Sequence, residues 1–229
     1  MAESSDFLAT ERVAVVTGAN KGIGLEICRQ LVLKGVTVVL TARDVKKGAE
    51  AVEKLKGSST SDNLIFHQLD VVDASSIARL ADFIKTEFGK LDILVNNMQQ
   101  YLEQFVTNEW AKGILSDANL LTEERVDAVL NEFLTDFRAG LLEDKGWPSI
   151  LAAYTLSKAA MNAYTRILAK KYPNLPNSSI CPGYVKTDIN FHYGNLTVEE
   201  GAESPVWLAL LPDGSPSGLF FSRKEISPF

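Results

Sequence analysis

Residues 12–35 leave few folds open to this chain. RVAVVTG (12–18) is a short apolar run ending in glycine, the pattern of a strand buried in a parallel sheet. GIGLEICRQLVLKG (22–35) follows with Ile23, Ile27 and Leu31 at helical spacing and a glycine stop at Gly35. Between them Gly18, Gly22 and Gly24 form a GxxxGxG turn. Gly18 lets the chain turn sharply, Gly22 lets backbone approach a pyrophosphate, and Gly24 lets the helix pack close to the strand. The helix N-terminus then offers free N–H groups and a positive dipole end to phosphate. A plain tight turn can use the same glycines, but a strand before and a helix after favour the dinucleotide reading.

The alternation continues. VTVVLTAR (36–43) is β-rich, DVKKGAEAVEKLKG (44–57) is a charged amphipathic helix opened by Asp44, and LIFHQLDV (64–71) is a third strand. DASSIARLADFIKTEFG (73–89) is a helix with Asp73 as N-cap, and LDILVNN (91–97) is a fourth strand. Strands alternating with helices imply α/β architecture with right-handed crossovers, a Rossmann-like doubly wound parallel sheet. The pattern then breaks: residues 98–150 hold no convincing strand, although LTEERVDAVLNEFLTDF (121–137) reads as a helix opened at Thr122. AAYTLSKAAMNAYTRILAKKY (152–172) is a long helix ended by Pro173, and SSICPG (178–183) is a short strand. TVEEGAESPVWLALL (197–211) is a helix entered at Thr197, and SGLFFSR (217–223) is a last strand. We read residues 1–229 as one Rossmann-type domain, with a dinucleotide-binding half at 12–97 and a second half at 150–229.

Composition narrows the partners. A formal net charge of −6 and a pI near 5.1 argue against a nucleic-acid backbone, because no basic stripe is available to displace counterions. Cys28 and Cys181 stand far apart and form no CxxC, which suits a reduced compartment. His67 and His192 are isolated, so no metal centre is expected. The polar start MAESSDFLATER is no secretory signal, and no apolar run approaches membrane-spanning length. A soluble, cytoplasmic protein is expected, with no membrane partner.

The end of the second strand should select the cofactor. An acidic residue there would bond the ribose 2′-OH of NAD, whereas an arginine would meet the 2′-phosphate of NADP. This chain has Ala42-Arg43 there and Lys21 in the glycine turn, two cations converging on one corner, which favours NADP(H). A solvated surface arginine is the plainer alternative. Asp70, closing the third strand, is placed either for the adenine edge or as a strand-end cap. Further along, Tyr154 and Lys158 sit four apart on one helix and share a face. A phenol is a poor acid or base near neutrality, and a nearby ammonium favours its phenolate. Tyr154 could then give a proton to a carbonyl oxygen as hydride arrives at carbon. YxxxK alone more often means one packed aromatic and one solvated lysine.

Taken together, TGANKGIG (17–24), the Arg43 corner, Asp70-Val71, Asn96-Asn97, Tyr154 with Lys158, and Pro182-Gly183 with Thr187 resemble the short-chain dehydrogenase/reductase family along nearly the whole chain. NEWAKGILSDANLLTEERVD and CPGYVKTDIN are similar to its plant neomenthol dehydrogenase and salutaridine reductase branch, which groups with carbonyl reductase. The resemblance implies an NADPH-dependent reductase of a ketone or aldehyde on a small hydrophobic, terpenoid- or alkaloid-like metabolite. It makes Tyr154 the general acid/base and Lys158 the holder of the nicotinamide ribose. It places Gly18, Asn20, Lys21, Gly22, Ile23, Gly24, Arg43, Asp70, Val71 and Asn96 along the cofactor. Pro182, Gly183, Val185 and Thr187 would flank the nicotinamide. Residues 108–149 match an insertion that covers the active site and the usual dimer surface, which implies a monomer.

The same resemblance exposes a gap. The family continues Asn-Asn with Ala-Gly, then a long helix, a fifth strand and a serine that helps hold the substrate carbonyl. Here Met98 follows Asn97, and the family pattern resumes near Asn108. About 60–70 residues are absent, the size of a strand-crossover unit with its linkers. Neither Ser116 nor Ser149 replaces the serine, and losing one oxyanion donor typically costs about 10²–10³ in kcat. The fourth strand would lose a neighbour. A makeshift strand at YLEQFV (101–106), or SSICPG sliding beside the fourth strand, could fill the place. The expected fold therefore lacks one central strand and one helix. A non-catalytic NADP(H)-binding or inert truncated chain is the alternative function.

Overall fold

The computed structural model describes residues 12–57, 63–97, 106–212 and 214–228. Contacts divide the chain into two compact units, residues 1–98 with 184–210, and residues 99–183 with 211–229.

The first unit is built on β1 (Val13–Val16), four apolar residues that are all buried. It lies between β2 (Thr37–Ala42) and β4 (Ile93–Val95), and β3 (Leu64–Gln68) extends the sheet in the order β3-β2-β1-β4. Every pairing is parallel, with Val13 opposite Thr37, Ala14 opposite Ile93 and Val38 opposite Leu64. Because alternate residues point to opposite faces, Ala14, Val16, Val38 and Leu40 face α1 (Gly22–Leu33) through Ile27 and Leu31. Val15 and Val39 face the other way, onto Leu80 and Ile84 of α3 (Ala74–Glu87). Layers on both faces explain why these strands read as continuous apolar runs. The helix α2 (Val45–Lys56) starts where the Asp44 side chain accepts from Lys47 N–H at 3.0 Å, and α3 starts where Asp73 accepts from Ser75 N–H at 2.9 Å. Residues 184–210 return to this unit and supply a second helix against α1.

In the second unit, α4 (Glu109–Ser116), α5 (Glu123–Ala139) and α6 (Ala152–Lys171) share a core of Val129, Phe133, Trp147, Leu156 and Ala163. Trp147 packs edge-on against Phe133, with centroids 5.2 Å apart, and its Nε1–H donates to the buried Asp136 carboxylate at 2.8 Å. A helix end leaves its last carbonyls unsatisfied. Arg166 of α6 donates to the Leu115 and Ser116 carbonyls, and Lys170 to that of Ala118. The long helix thereby fastens the end of α4. A small sheet completes the unit: β5 (Ser179–Cys181) runs parallel to β6 (Phe220–Ser222), and β7 (Glu225–Ser227) folds back antiparallel. The return helix of the first unit is α7 (Val198–Ala209), opened by a Thr197–Glu200 capping box.

Three features differ from the sequence reading. The octapeptide α4 and the closing strand β7 were not foreseen, being short and weakly patterned. Strands form two sheets rather than one: β4 ends the first, and among the described residues no strand pairs on its other side. Leu94 is accordingly 54% exposed. One suggested neighbour, the SSICPG strand, is β5 and pairs with β6 instead. Of the suggested 101–106 strand, residues 101–105 lie outside the described residues, and Val106 is not in a strand.

Helix α7 packs tightly through a glycine. A Cβ on Gly201 would lie 2.4 Å from Cγ2 and 3.2 Å from Cβ of the fully buried Val185, which cannot swing aside. Helix propensity alone favours alanine by about 1 kcal/mol, whereas overpacking costs about 1–3 kcal/mol. Gly201→Ala should therefore destabilise the protein in urea denaturation; a stabilised variant would contradict this packing.

Candidate functional site

The turn between β1 and α1 has the backbone its glycines were expected to need, with φ of +57° at both Gly18 and Gly22. It is held from two sides. Ala19 N–H donates to Thr41 O at 2.9 Å, and Thr17 N–H donates to Val95 O at 2.9 Å. Asn97, at the tip of β4, donates its N–H to Thr17 Oγ1 at 3.0 Å and its Nδ2–H to Gly18 O at 3.2 Å. A Cβ on Gly24 would stand 2.5 Å from Asn97 Nδ2 and 2.8 Å from Gly18 O, so no larger residue fits beneath this junction. The first turn of α1 receives no side-chain cap, whereas Asp44, Asp73, Asn108, Thr122 and Thr197 cap α2, α3, α4, α5 and α7. Donors left over at a helix N-terminus, beside glycines that admit close approach, fit a dinucleotide phosphate.

The other expected cofactor residues of this unit fall into four groups. Asn20, Lys21, Gly22 and Thr187 line one cavity of about 490 Å³, together with Asp188 and His192. Arg43, Val71 and Asn96 are exposed near strand ends; Arg43 O accepts from Gln68 Nε2 at 3.3 Å. Asp70 is half-buried, and its Oδ1 accepts from Val72 N–H at 3.1 Å, so it closes its own turn as the plainer reading allowed. Ile23 and Val185 are core residues, which leaves only their backbone for a ligand. Even there, Val185 O already accepts from Asn190 Nδ2 at 2.9 Å.

Lys21 differs from expectation. Its ammonium is engaged by Asp188 Oδ2 at 2.8 Å, and the other oxygen of Asp188 lies 3.3 Å from His192 Nε2. That hydrogen bond, with the charges of Lys21 and then His192, holds the Asp188 carboxyl below the usual carboxylate range. Neither Asp188 nor His192 was singled out from the sequence. Their four-residue spacing in TDINFH was the available signal.

In the second unit Tyr154 is half-buried on the first turn of α6, and Lys158 is 5% exposed one turn later. Lys158 Nζ lies 5.4 Å from the Tyr154 ring centroid, so the two share a face. Asn162 and Arg166 continue the spacing of four and are buried too, a polar stripe that makes α6 more than a packed helix. Its N-cap, Leu151, has φ +51° and no side-chain cap. Ser149 is exposed ahead of it, and Ser116 Oγ donates to Lys112 O within α4. Pro182 is buried after β5, followed by Gly183 at φ +91°.

A family model described as short chain dehydrogenase matches residues 12–116. (+)-Neomenthol dehydrogenase of Arabidopsis thaliana is 46% identical, over 96% of this chain and 99% of that protein. The chain belongs to the short-chain dehydrogenase/reductase family. Salutaridine reductase of Papaver somniferum is 43% identical over 95% of this chain and 96% of that protein, and its solved structure superimposes with a TM-score of 0.87 over 93% of this chain and 99% of that one. Carbonyl reductase [NADPH] 1 of Mus musculus is 33% identical over 95% of this chain and 98% of that protein. The alignment with the Arabidopsis protein runs over 292 positions, and 292 less the 229 residues of this chain leaves at least 63 positions without a counterpart here. That is the size of gap read from the sequence. Among the described residues no helix is long and apolar enough to cross a membrane.

The junction beneath the glycine turn generates a test. Gly24→Ala forces its methyl against Gly18 O and the Asn97 amide, neither of which can move without opening the turn. The variant should lose about 1–3 kcal/mol in urea denaturation. An unchanged midpoint would show that α1 and the turn do not approach so closely.

Proposed function

We propose that this short-chain dehydrogenase/reductase binds NADP(H) and reduces the ketone or aldehyde of a small hydrophobic metabolite, terpenoid- or alkaloid-like. In this reading the α1 N-terminus and its glycine turn hold the dinucleotide phosphates, and Lys21 and Arg43 supply positive charge for the 2′-phosphate. When bound, the nicotinamide supplies the hydride. Tyr154 gives its phenolic proton to the carbonyl oxygen, and takes it back in the reverse direction. Lys158 orients the nicotinamide ribose and lends Tyr154 the positive field that favours its phenolate. Pro182, Gly183 and Thr187 flank the nicotinamide, and residues 108–149 cover the site in a monomeric enzyme.

The observation that carries this reading is the pairing on α6. A solvated lysine beside a packed aromatic is the ordinary meaning of YxxxK. Here the lysine is the buried partner and holds its ammonium 5.4 Å from the phenol ring. A buried charge is costly unless it is paired or hydrogen-bonded, so this ammonium is held in a fixed place beside the phenol. The chain's relatives, a (+)-neomenthol dehydrogenase, a salutaridine reductase and a carbonyl reductase [NADPH], support the substrate class and the cofactor.

A second reading is favoured by one specific observation. The chain lacks at least 63 positions of its Arabidopsis relative, and among the described residues β4 ends its sheet. A protein that binds NADP(H) without turning over fits those facts. Titrating NADPH by fluorescence and then assaying menthone reduction separates the two. The enzyme reading expects binding and turnover, with Tyr154→Phe lowering kcat by about 10²–10⁴ while the NADPH Kd stays within twofold. Binding with no turnover by the wild-type chain would establish the second reading instead.

A further inference from the structure

We propose that Asp188 sets how strongly this chain prefers a dinucleotide carrying a 2′-phosphate over one without it, by competing with that phosphate for Lys21. The inference rests on the reading of the glycine turn as the dinucleotide site.

Lys21 is the residue immediately before α1, where backbone donors already favour an anion. Its ammonium is nevertheless taken, 2.8 Å from Asp188 Oδ2, by a carboxylate 167 residues further along the chain. Asp188 lies in a short 3₁₀ turn, Asp188–Asn190, that Thr187 opens and the Asn190 side chain fastens through Thr187 N–H at 3.0 Å. The turn is therefore positioned by its own hydrogen bonds, and Asp188 is presented to Lys21 rather than drifting onto it. The residue is ionised in this setting, since Lys21 and then His192 hold its carboxyl below the ordinary range.

The cavity these residues line shows why one carboxylate matters. Its cations are Lys21, Lys47, Lys54 and Lys186, with His192 beside them; its acids are Glu50 and Asp188. Of the two acids, Asp188 is the one within ion-pair distance of Lys21. An incoming phosphate must displace that carboxylate or share the ammonium with it, and sharing brings two anions together. Either route weakens binding of the dinucleotide that carries the 2′-phosphate more than binding of the one that shares only its pyrophosphate. Both partners are more than half exposed, so the penalty is modest and sensitive to salt.

The test measures Kd for NADPH and for NADH by fluorescence at about 10 mM ionic strength, where screening is weak. Wild type, Asp188→Asn, Lys21→Met and the double variant are compared, each checked for fold by circular dichroism and thermal melting. Asp188→Asn should tighten NADPH about two- to fivefold, with a clearly smaller gain for NADH and both gains lost in high salt. Lys21→Met should lower the NADPH preference, and adding Asp188→Asn to it should give nothing further. An unchanged or weaker NADPH Kd in folded Asp188→Asn overturns the proposal, as does an equal gain for both dinucleotides. So does an unaltered NADPH preference in Lys21→Met, which decides the matter even if Asp188→Asn fails to fold. If the wild-type chain binds neither dinucleotide, the reading of the glycine turn itself is wrong and this inference falls with it.

Discussion

The contact between the tip of β4 and the glycine turn is the constraint on which the first unit depends. Asn97 reaches Gly18 and Thr17 with both its side chain and its backbone, and Gly24 lets α1 come down onto the same spot. Three elements distant in sequence are thereby fixed at one point. The consequence is a helix whose N-terminal donors are aligned yet uncapped. In α2, α3, α4, α5 and α7 an Asp, Asn or Thr side chain fills that role, and at α1 no side chain does.

The alignment leaves at least 63 positions of the Arabidopsis relative without a counterpart here. The glycine turn is held by Thr41, Val95 and Asn97 from the first strands, while Asp188 meets its Lys21 from far downstream. Among the described residues the first sheet ends at β4, and β5, β6 and β7 form a sheet of their own. Tyr154 and Lys158 survive on a helix firmly held within its unit, through the Leu156–Ala160–Ala163 core and the Arg166 contacts to α4. In the proposed function, binding and chemistry thus rest on different parts of the chain. A positional error of one ångström at a reacting centre costs about a hundredfold, so in that reading turnover is the more sensitive of the two to the missing positions.

Much of this was legible in the sequence because the signals were local and strong. The strands from β1 to β4 were visible as continuous apolar runs, and Asp44, Asp73, Thr122 and Thr197 marked helix starts where caps are found. The family followed from motifs spread over the whole length. What stayed hidden depended on distance or on shortness. The Lys21–Asp188 pair joins residues that no local pattern connects, and the four-residue spacing of Asp188 and His192 was too common a signal to single them out. Ile23 and Val185 look like ligand contacts when placed by motif, yet packing under α7 and the sheet takes their side chains into the core. The helix α4 was missed because eight residues with two apolar anchors, Ala111 and Leu115, carry too little periodicity to stand out.

In the proposed function the dinucleotide phosphates rest on the glycine turn and the first turn of α1. Amide hydrogen exchange, measured with and without saturating NADPH, addresses this placement residue by residue. Slower exchange concentrated at residues 18–24 is expected. Protection elsewhere, with exchange at residues 18–24 unchanged while NADPH is bound, would contradict it.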